Sequence, residues 1–166
     1  MRKSVILALS APLFLGAASL AIAQHHGAGH GSGHGQASPQ AAMTDSRILV
    51  NFPPMLAEHT LANMRDHLQA IQEIQAYLAQ GENDKAAKVA ENRLGMSSLT
   101  LHGAHDVAPF MPKGMQDAGT GMHRAASRFA VEAQTAGVTG DLKPALRALA
   151  EVTAQCVGCH AGYKLR

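Results

Sequence analysis

From Ile48 onward apolar residues recur at steps of three and four, a spacing that predicts four helices separated by short breaks. The first is expected from about Pro53 to Ala79, with Leu61, Met64, Leu68, Ile71, Ile74 and Leu78 on its inward side. Pro53 and Pro54 suit a helix entrance, where the N–H groups they lack would be unpaired anyway, and Gly81 supplies the stop. The second is expected to start at Asn83 or Asp84, either of which can cap it, and to run to about His105. Ala86, Ala90, Leu94 and Leu101 form its apolar side. Gly95 weakens its middle by roughly 1 kcal/mol relative to Ala. Pro109, Phe110, Pro112 and Gly114 then interrupt the pattern. The third helix is expected from about Gln116 to Ala136, with Met122, Ala126, Phe129 and Ala133 facing in and two glycines, Gly119 and Gly121, in its first turns. No stretch alternates apolar and polar residues as a half-buried strand would, so no strand is predicted.

The fourth helix has the clearest pattern. Asp141 can cap it, and Pro144 falls in the first turn, where proline is tolerated. Leu142, Leu149, Cys156 and Tyr163 recur every seven residues, and Ala145, Val152 and Cys159 fill the intermediate positions of the same stripe. His160 follows Cys156 by one turn and lies over the same face. Residues 156–160 read Cys-Val-Gly-Cys-His, the C-x-x-C-H attachment motif of a c-type haem. Two thiols are placed to form thioethers with the vinyl groups, and the adjacent imidazole is placed to bind the iron from one side. Only six residues follow His160, so every other contact to such a group must come from earlier in the chain.

The region before Ile48 has a different character. Arg2 and Lys3 precede an uncharged apolar run from Ser4 to Ile22, and Ala21-Ile22-Ala23 gives an A-x-A cleavage pattern. Residues 1–23 are therefore expected to be a cleaved signal peptide that exports the chain to the periplasm. A retained anchor is the alternative, since the run is about long enough to span a bilayer. Residues 24–47 carry His25, His26, His30 and His34 among glycines, a composition that builds no core and predicts a disordered linker. Its imidazoles suit weak binding of copper, nickel or zinc, and a plain soluble spacer is the simpler reading. The domain proper is expected over 48–166. Loss of Arg2 and Lys3 brings the basic residues level with the 12 acidic ones, which gives no support to nucleic-acid binding by bulk charge.

An exported chain with two cysteines suggests a disulfide, but two intervening residues close a ring that cross-links nothing distant. A redox C-x-x-C belongs near a βαβ pattern, and a four-ligand zinc site needs further cysteines. Haem attachment accounts for both thiols, the histidine and the compartment together.

Four antiparallel helices with C-x-x-C-H in the last turns of the fourth resemble the cytochrome c prime family. The resemblance covers roughly Val50 to Arg166. It rests on Cys156, Cys159 and His160, on Tyr163 and Lys164 close behind, and on a first helix ending in Ala79-Gln80-Gly81-Glu82 before an Ala-rich second helix. It implies an all-α, antiparallel four-helix bundle with one covalent haem c near its C-terminus. Tyr163 and Lys164 would lie near the haem, with Lys164 standing where the family usually has Arg. Family members often dimerise through the first two helices, which implies a homodimer, with redox proteins as partners and no stable membrane insertion after signal cleavage. The family meets the other face of the haem with a first-helix side chain. Counting back from Gly81 brings that position within one residue of Met64, the sixth-ligand candidate, with His67 a turn further on as the second candidate. Met64 also fits the apolar stripe as plain core.

His102, His105, Met111, Met115, Met122 and His123 form a second constellation of groups that suit copper(I), while Met115 and Met122 equally fit a core stripe. Three functions follow. A periplasmic electron carrier, its potential set by axial ligation and burial, leads, and no nucleophile–base pair argues for an enzyme. A five-coordinate haem protein binding nitric oxide or carbon monoxide is the second, with Leu61, Leu68 and Phe129 as apolar walls. A His/Met-rich metal-binding module is the third.

Overall fold

The computed structural model describes residues 45–166; the expected signal peptide and nearly all of the expected linker lie outside the described residues. Within that range the order is β1 (Ile48–Val50), α1 (Pro54–Ala79), α2 (Asn83–Arg93), α3 (Ala104–Val107), α4 (Lys113–Thr139), α5 (Lys143–Gly162) and β2 (Tyr163–Leu165). Two short 3₁₀ turns, Met96–Ser98 and Ala108–Phe110, lie on either side of α3. The described residues are thus mostly helical, and no helix among them is long and apolar enough to cross a membrane.

Local chemistry sets most helix ends where expected. The Ala57 N–H donates to the Pro53 carbonyl at 2.9 Å to open α1. Gly81 closes it at φ +73°, a conformation that a side chain would oppose, while the Glu82 N–H reaches back to the Tyr77 carbonyl at 2.9 Å. Gly140 ends α4 in the same way at φ +76°, with its N–H donating to the Ala136 carbonyl at 2.8 Å. Asp141 accepts from the Lys143 N–H at 3.0 Å and so fixes the start of α5. Gly119 and Gly121 do not delay α4, which is already helical at Lys113. A Cβ at Gly121 would meet only the flexible end of the Gln155 side chain of α5.

Neither Asn83 nor Asp84 caps α2: both are inside the helix, Glu82 stands at the N-cap, and no side chain bonds the first turn. Three further expectations fail. The second helix does not reach His105; α2 stops at Arg93. Gly95 is buried and extended, and a side chain there would run into Glu91 of the turn before. The Glu91 carboxylate accepts from the Ser97 N–H at 3.1 Å and anchors the 3₁₀ turn that replaces the helix. Second, a small sheet exists where no strand is predicted. β1 and β2 pair in parallel, with Ile48 opposite Tyr163, Leu49 opposite Lys164 and Val50 opposite Leu165. Three residues are too few to show a period of two, and the partners come from opposite ends of the domain. Third, the inward stripe of α1 is turned in its first half. Thr60 and His67 are buried there, whereas Leu61 is 45% exposed and Leu68 73% exposed.

Most of the apolar core lies between α2, α4 and α5, closed on one side by the second half of α1. Ala86, Ala90, Ala126, Ala133 and Ala145 are fully buried around Phe129, Ile74 and Leu94. Small side chains let helix axes approach closely, and Phe129 fills the space they leave. A second, smaller cluster gathers Val50, Phe52, Ala57 and Met115, against which Cys159, Tyr163 and Leu165 pack. The β1–β2 pairing ties this cluster to the end of α5.

Candidate functional site

α5 carries Cys156, Cys159 and His160 in its last two turns, and all three line a cavity of about 470 Å³. α1 contributes Met64, His67, Leu68 and Ile71 to the lining, and α4 contributes Met115, Ala118, Gly119 and Met122. Met111, from the break before α4, joins them. The surface is nearly all thioether and aliphatic. The sequence motif and both first-helix candidates therefore share one cavity. Leu68 belongs to its rim, but the other two side chains expected as apolar walls do not line it. Leu61 points outward and Phe129 is buried in the alanine-rich core.

Both thiols are half-buried and free. The Cys156 thiol donates to the Val152 carbonyl at 3.6 Å. Burial raises the pKa of each, and for Cys159 the neighbouring Cys156 adds to the effect. Tyr163 and Lys164 do not line the cavity. The chain leaves α5 at Gly162 and enters β2, where Tyr163 packs in the smaller cluster with its hydroxyl over Gly114. Lys164 pairs with Asp45 at 3.2 Å, and Asp45 also accepts from the Arg47 guanidinium at 2.8 Å.

Beside the cavity lies a buried polar cluster that no local spacing reveals. His67 of α1, His102 of the turn before α3 and His123 of α4 are all buried. Their ring centroids lie 4.6 Å apart for His67–His102, 5.5 Å for His102–His123 and 6.2 Å for His67–His123. His67 Nε2 is 3.4 Å from His102 Nδ1, and the Ser98 hydroxyl stands 3.4 Å from both His102 Nδ1 and His123 Nδ1. His123 Nδ1 contacts the Leu94 carbonyl at 2.7 Å, satisfying an acceptor freed where α2 breaks. The His102 carbonyl accepts from Asn63 Nδ2 at 3.1 Å, which holds the turn against α1. His102 Nε2 is buried with no partner.

Burial lowers the pKa of all three rings. His67 is pushed down to about 4, mainly by desolvation and then by the neighbouring His102 and His123, with Asp66 opposing. His102 and His123 are lowered as well, burial again coming first. On the outer side Arg93 bridges Asp66 and Glu73, with Arg93 Nη1 to Glu73 Oε2 at 2.8 Å. The pairing with Arg93 holds the Asp66 carboxyl below its usual range.

The constellation expected from His102, His105, Met111, Met115, Met122 and His123 thus divides. The three methionines face the cavity, His102 and His123 join His67, and His105 is exposed. Among the described residues no group of three His, Cys, Asp or Glu side chains is set to hold a metal ion. His25, His26, His30 and His34 lie outside the described residues. Sequence reasoning missed Ala118 and Gly119 as wall residues. The available signal was their place between Met115 and Met122 on one face of α4, where small side chains leave room between long ones. No protein-family model, curated protein or solved structure matches the chain.

Proposed function

We propose that the chain is an exported c-type cytochrome that carries electrons through one haem, held by thioethers at Cys156 and Cys159 and ligated by His160. The observation that carries this reading is the shared cavity: C-x-x-C-H on α5 and Met64 on α1 line the same apolar space. In this reading the four longer helices form an antiparallel bundle, and the cleaved leader delivers it to the periplasm, where redox proteins are its partners.

The residues fit such a group. A volume of about 470 Å³ falls inside the range of roughly 300–1,000 Å³ usual for cofactor sites. Gly119 lines the cavity, and a Cβ there would meet nothing within 4 Å, which supports room for a flat occupant against α4. The raised thiol pKa values argue against a disulfide-exchange C-x-x-C, whose attacking thiol is lowered. When bound, haem supplies one-electron chemistry at its iron. The chain's own part would be to hold the group with Cys156, Cys159 and His160, to offer Met64 as a further iron ligand, and to surround it with Ile71, Val152 and the methionines at low dielectric. Tyr163 and Lys164 act at a distance, by tying the end of α5 to β1.

The gas-binding alternative has less support, because Met64 and His67 stand on the α1 wall and only Leu68 of the expected apolar residues lines the cavity. The metal-module alternative has less support too, because Met111, Met115 and Met122 share their cavity with the thiols.

The test is expression in a host that matures c-type cytochromes. Haem should stay with the denatured wild-type polypeptide and be lost when Cys156→Ser and Cys159→Ser are combined. Wild-type chain free of covalent haem would sink the proposal. If the haem is present, nitric oxide separates the functions: an electron carrier keeps its absorption spectrum, whereas an open iron site changes it at once.

A further inference from the structure

His67 and Met64 both line the cavity and stand about one turn apart on α1, so both are within the stretch that faces the proposed haem. Imidazole is the stronger and commoner iron ligand of the two. Something must therefore decide between them, and the decision is visible in the packing around His67. Its Nε2, the ring nitrogen farthest from the backbone, is directed to His102 Nδ1 at 3.4 Å. The nitrogen left over, Nδ1, sits one bond from Cγ and has the shorter reach.

His102 is itself well held. Its carbonyl meets both Asn63 Nδ2 at 3.1 Å and His59 Nε2 at 3.2 Å, so α1 grips the turn at two further points. Ser98 stands at 3.4 Å from the His102 ring and also donates to the Gly95 carbonyl at 2.7 Å, which ties the turn to the break after α2. The break itself is fixed from α4 by His123.

We infer that His102 is a positioning residue that holds the His67 ring back from the haem iron. The inference rests on the proposed cytochrome reading. In it, the interruption of the second helix has a purpose: a continuous helix from Asn83 to His105 would not present the loop that carries Ser98 and His102 to α1. The buried polar residues of α1, Thr60 and His67, replace the apolar side chains that periodicity predicts because this half of the helix packs against that loop.

The experiment compares axial ligation in haem-loaded wild type, His102→Leu, His67→Leu and the double variant, by magnetic circular dichroism and electron paramagnetic resonance of the oxidised protein. Wild type should show a single axial imidazole, from His160, and His67→Leu should leave that spectrum unchanged. His102→Leu should convert most of the haem to two axial imidazoles and lower the reduction potential, since Met/His ligation raises it. The double variant should return to one imidazole, which assigns the new ligand to His67. Two imidazoles in wild type, or an unchanged spectrum in His102→Leu, would overturn the inference. If His102→Leu does not accumulate, His102→Asn, with a shorter polar side chain, is read against the same two outcomes. A chain that carries no covalent haem refutes the cytochrome reading instead, so the two failures are distinct.

Discussion

Around Phe129 the helices meet through alanine; beside Cys156 methionines line a cavity between them. In the first region Ala86, Ala90, Ala126, Ala133 and Ala145 have no exposed surface, and none of the cluster's buried side chains is titratable. In the second, Met64, Met111, Met115 and Met122 surround about 470 Å³ of cavity, with three buried histidines beside it, of which His67 is part of the lining. Alanine has no side-chain rotamers to freeze and permits close helix contact, so it favours a rigid framework. Methionine is long, unbranched and polarisable, so it adapts its shape to an occupant. The contrast divides labour: one region holds the chain together, and the other leaves the cavity that the proposed haem would fill.

The division is broken most severely at Phe129. Phe129→Ala removes the largest fully buried side chain and is expected to cost about 3–5 kcal/mol in urea or guanidinium unfolding. Variant protein that still folds should keep its covalent haem, because Phe129 does not line the cavity. A loss below about 1 kcal/mol, the size of an ordinary substitution, would mean that the alanine region is not the stable framework.

The same two regions differ in how far sequence reveals them. Periodicity alone identifies the alanine framework, because Ala126, Phe129 and Ala133 are spaced for one face and all are buried. The C-x-x-C-H motif identifies one wall of the cavity, since its chemistry is local. The other walls are harder to read. Leu61 and Leu68 fit a helical stripe, yet Thr60 and His67 take the inward positions because His102 arrives from a loop far along the chain. That loop depends on Gly95 and Glu91 ending α2, and Gly95 looks in sequence like a weak point inside a helix. The β1–β2 pair escaped for a similar reason: Ile48 and Tyr163 pair across the whole length of the domain sequence. Contacts between distant segments leave no period to detect.

A change of pH separates the regions without mutation. His67 is lowered from 6.5 to about 4 in the folded protein, so the unfolded chain binds its proton first. Stability is therefore full above about pH 6.5 and falls as pH drops toward 4, then levels off with respect to this group. The loss is on the order of 3 kcal/mol for His67, and His102 and His123 shift in the same direction. His67→Leu should flatten part of this slope in urea melts of chelator-treated protein. A wild-type slope that survives unchanged in that variant would place the pH sensitivity elsewhere.

Arg93 tests the outer support of the histidine cluster. It bridges Asp66 and Glu73 near the surface, where the Arg93 side chain is 22% exposed. Exposed pairs contribute little, and this one is partly sheltered, so Arg93→Ala is expected to cost about 1 kcal/mol. The cost should shrink in high salt. In the alanine region Arg128 and Glu151 pair at 2.8 Å with both side chains more than half exposed, and Arg128→Ala should have a smaller effect still. Equal losses from the two variants would show that the histidine cluster gains nothing from its flanking charges.

Gly119 gives the smallest change in stability and the cleanest separation of framework from cavity. Its Cβ position faces open space on the cavity wall, so Gly119→Leu can direct its side chain into the cavity and replaces the poorest ordinary helix former. Unfolding should shift by no more than about 1 kcal/mol, in the stabilising direction. A leucine at that point occupies the cavity, so haem retained by the denatured polypeptide should fall severalfold, although Cys156, Cys159 and His160 are untouched. Gly119→Ala, which adds a single methyl group, should keep most of the haem while gaining the same helix preference. If Gly119→Leu loads haem as fully as wild type, α4 is not a wall of the haem site, and the cavity and the attachment motif are neighbours without a common occupant.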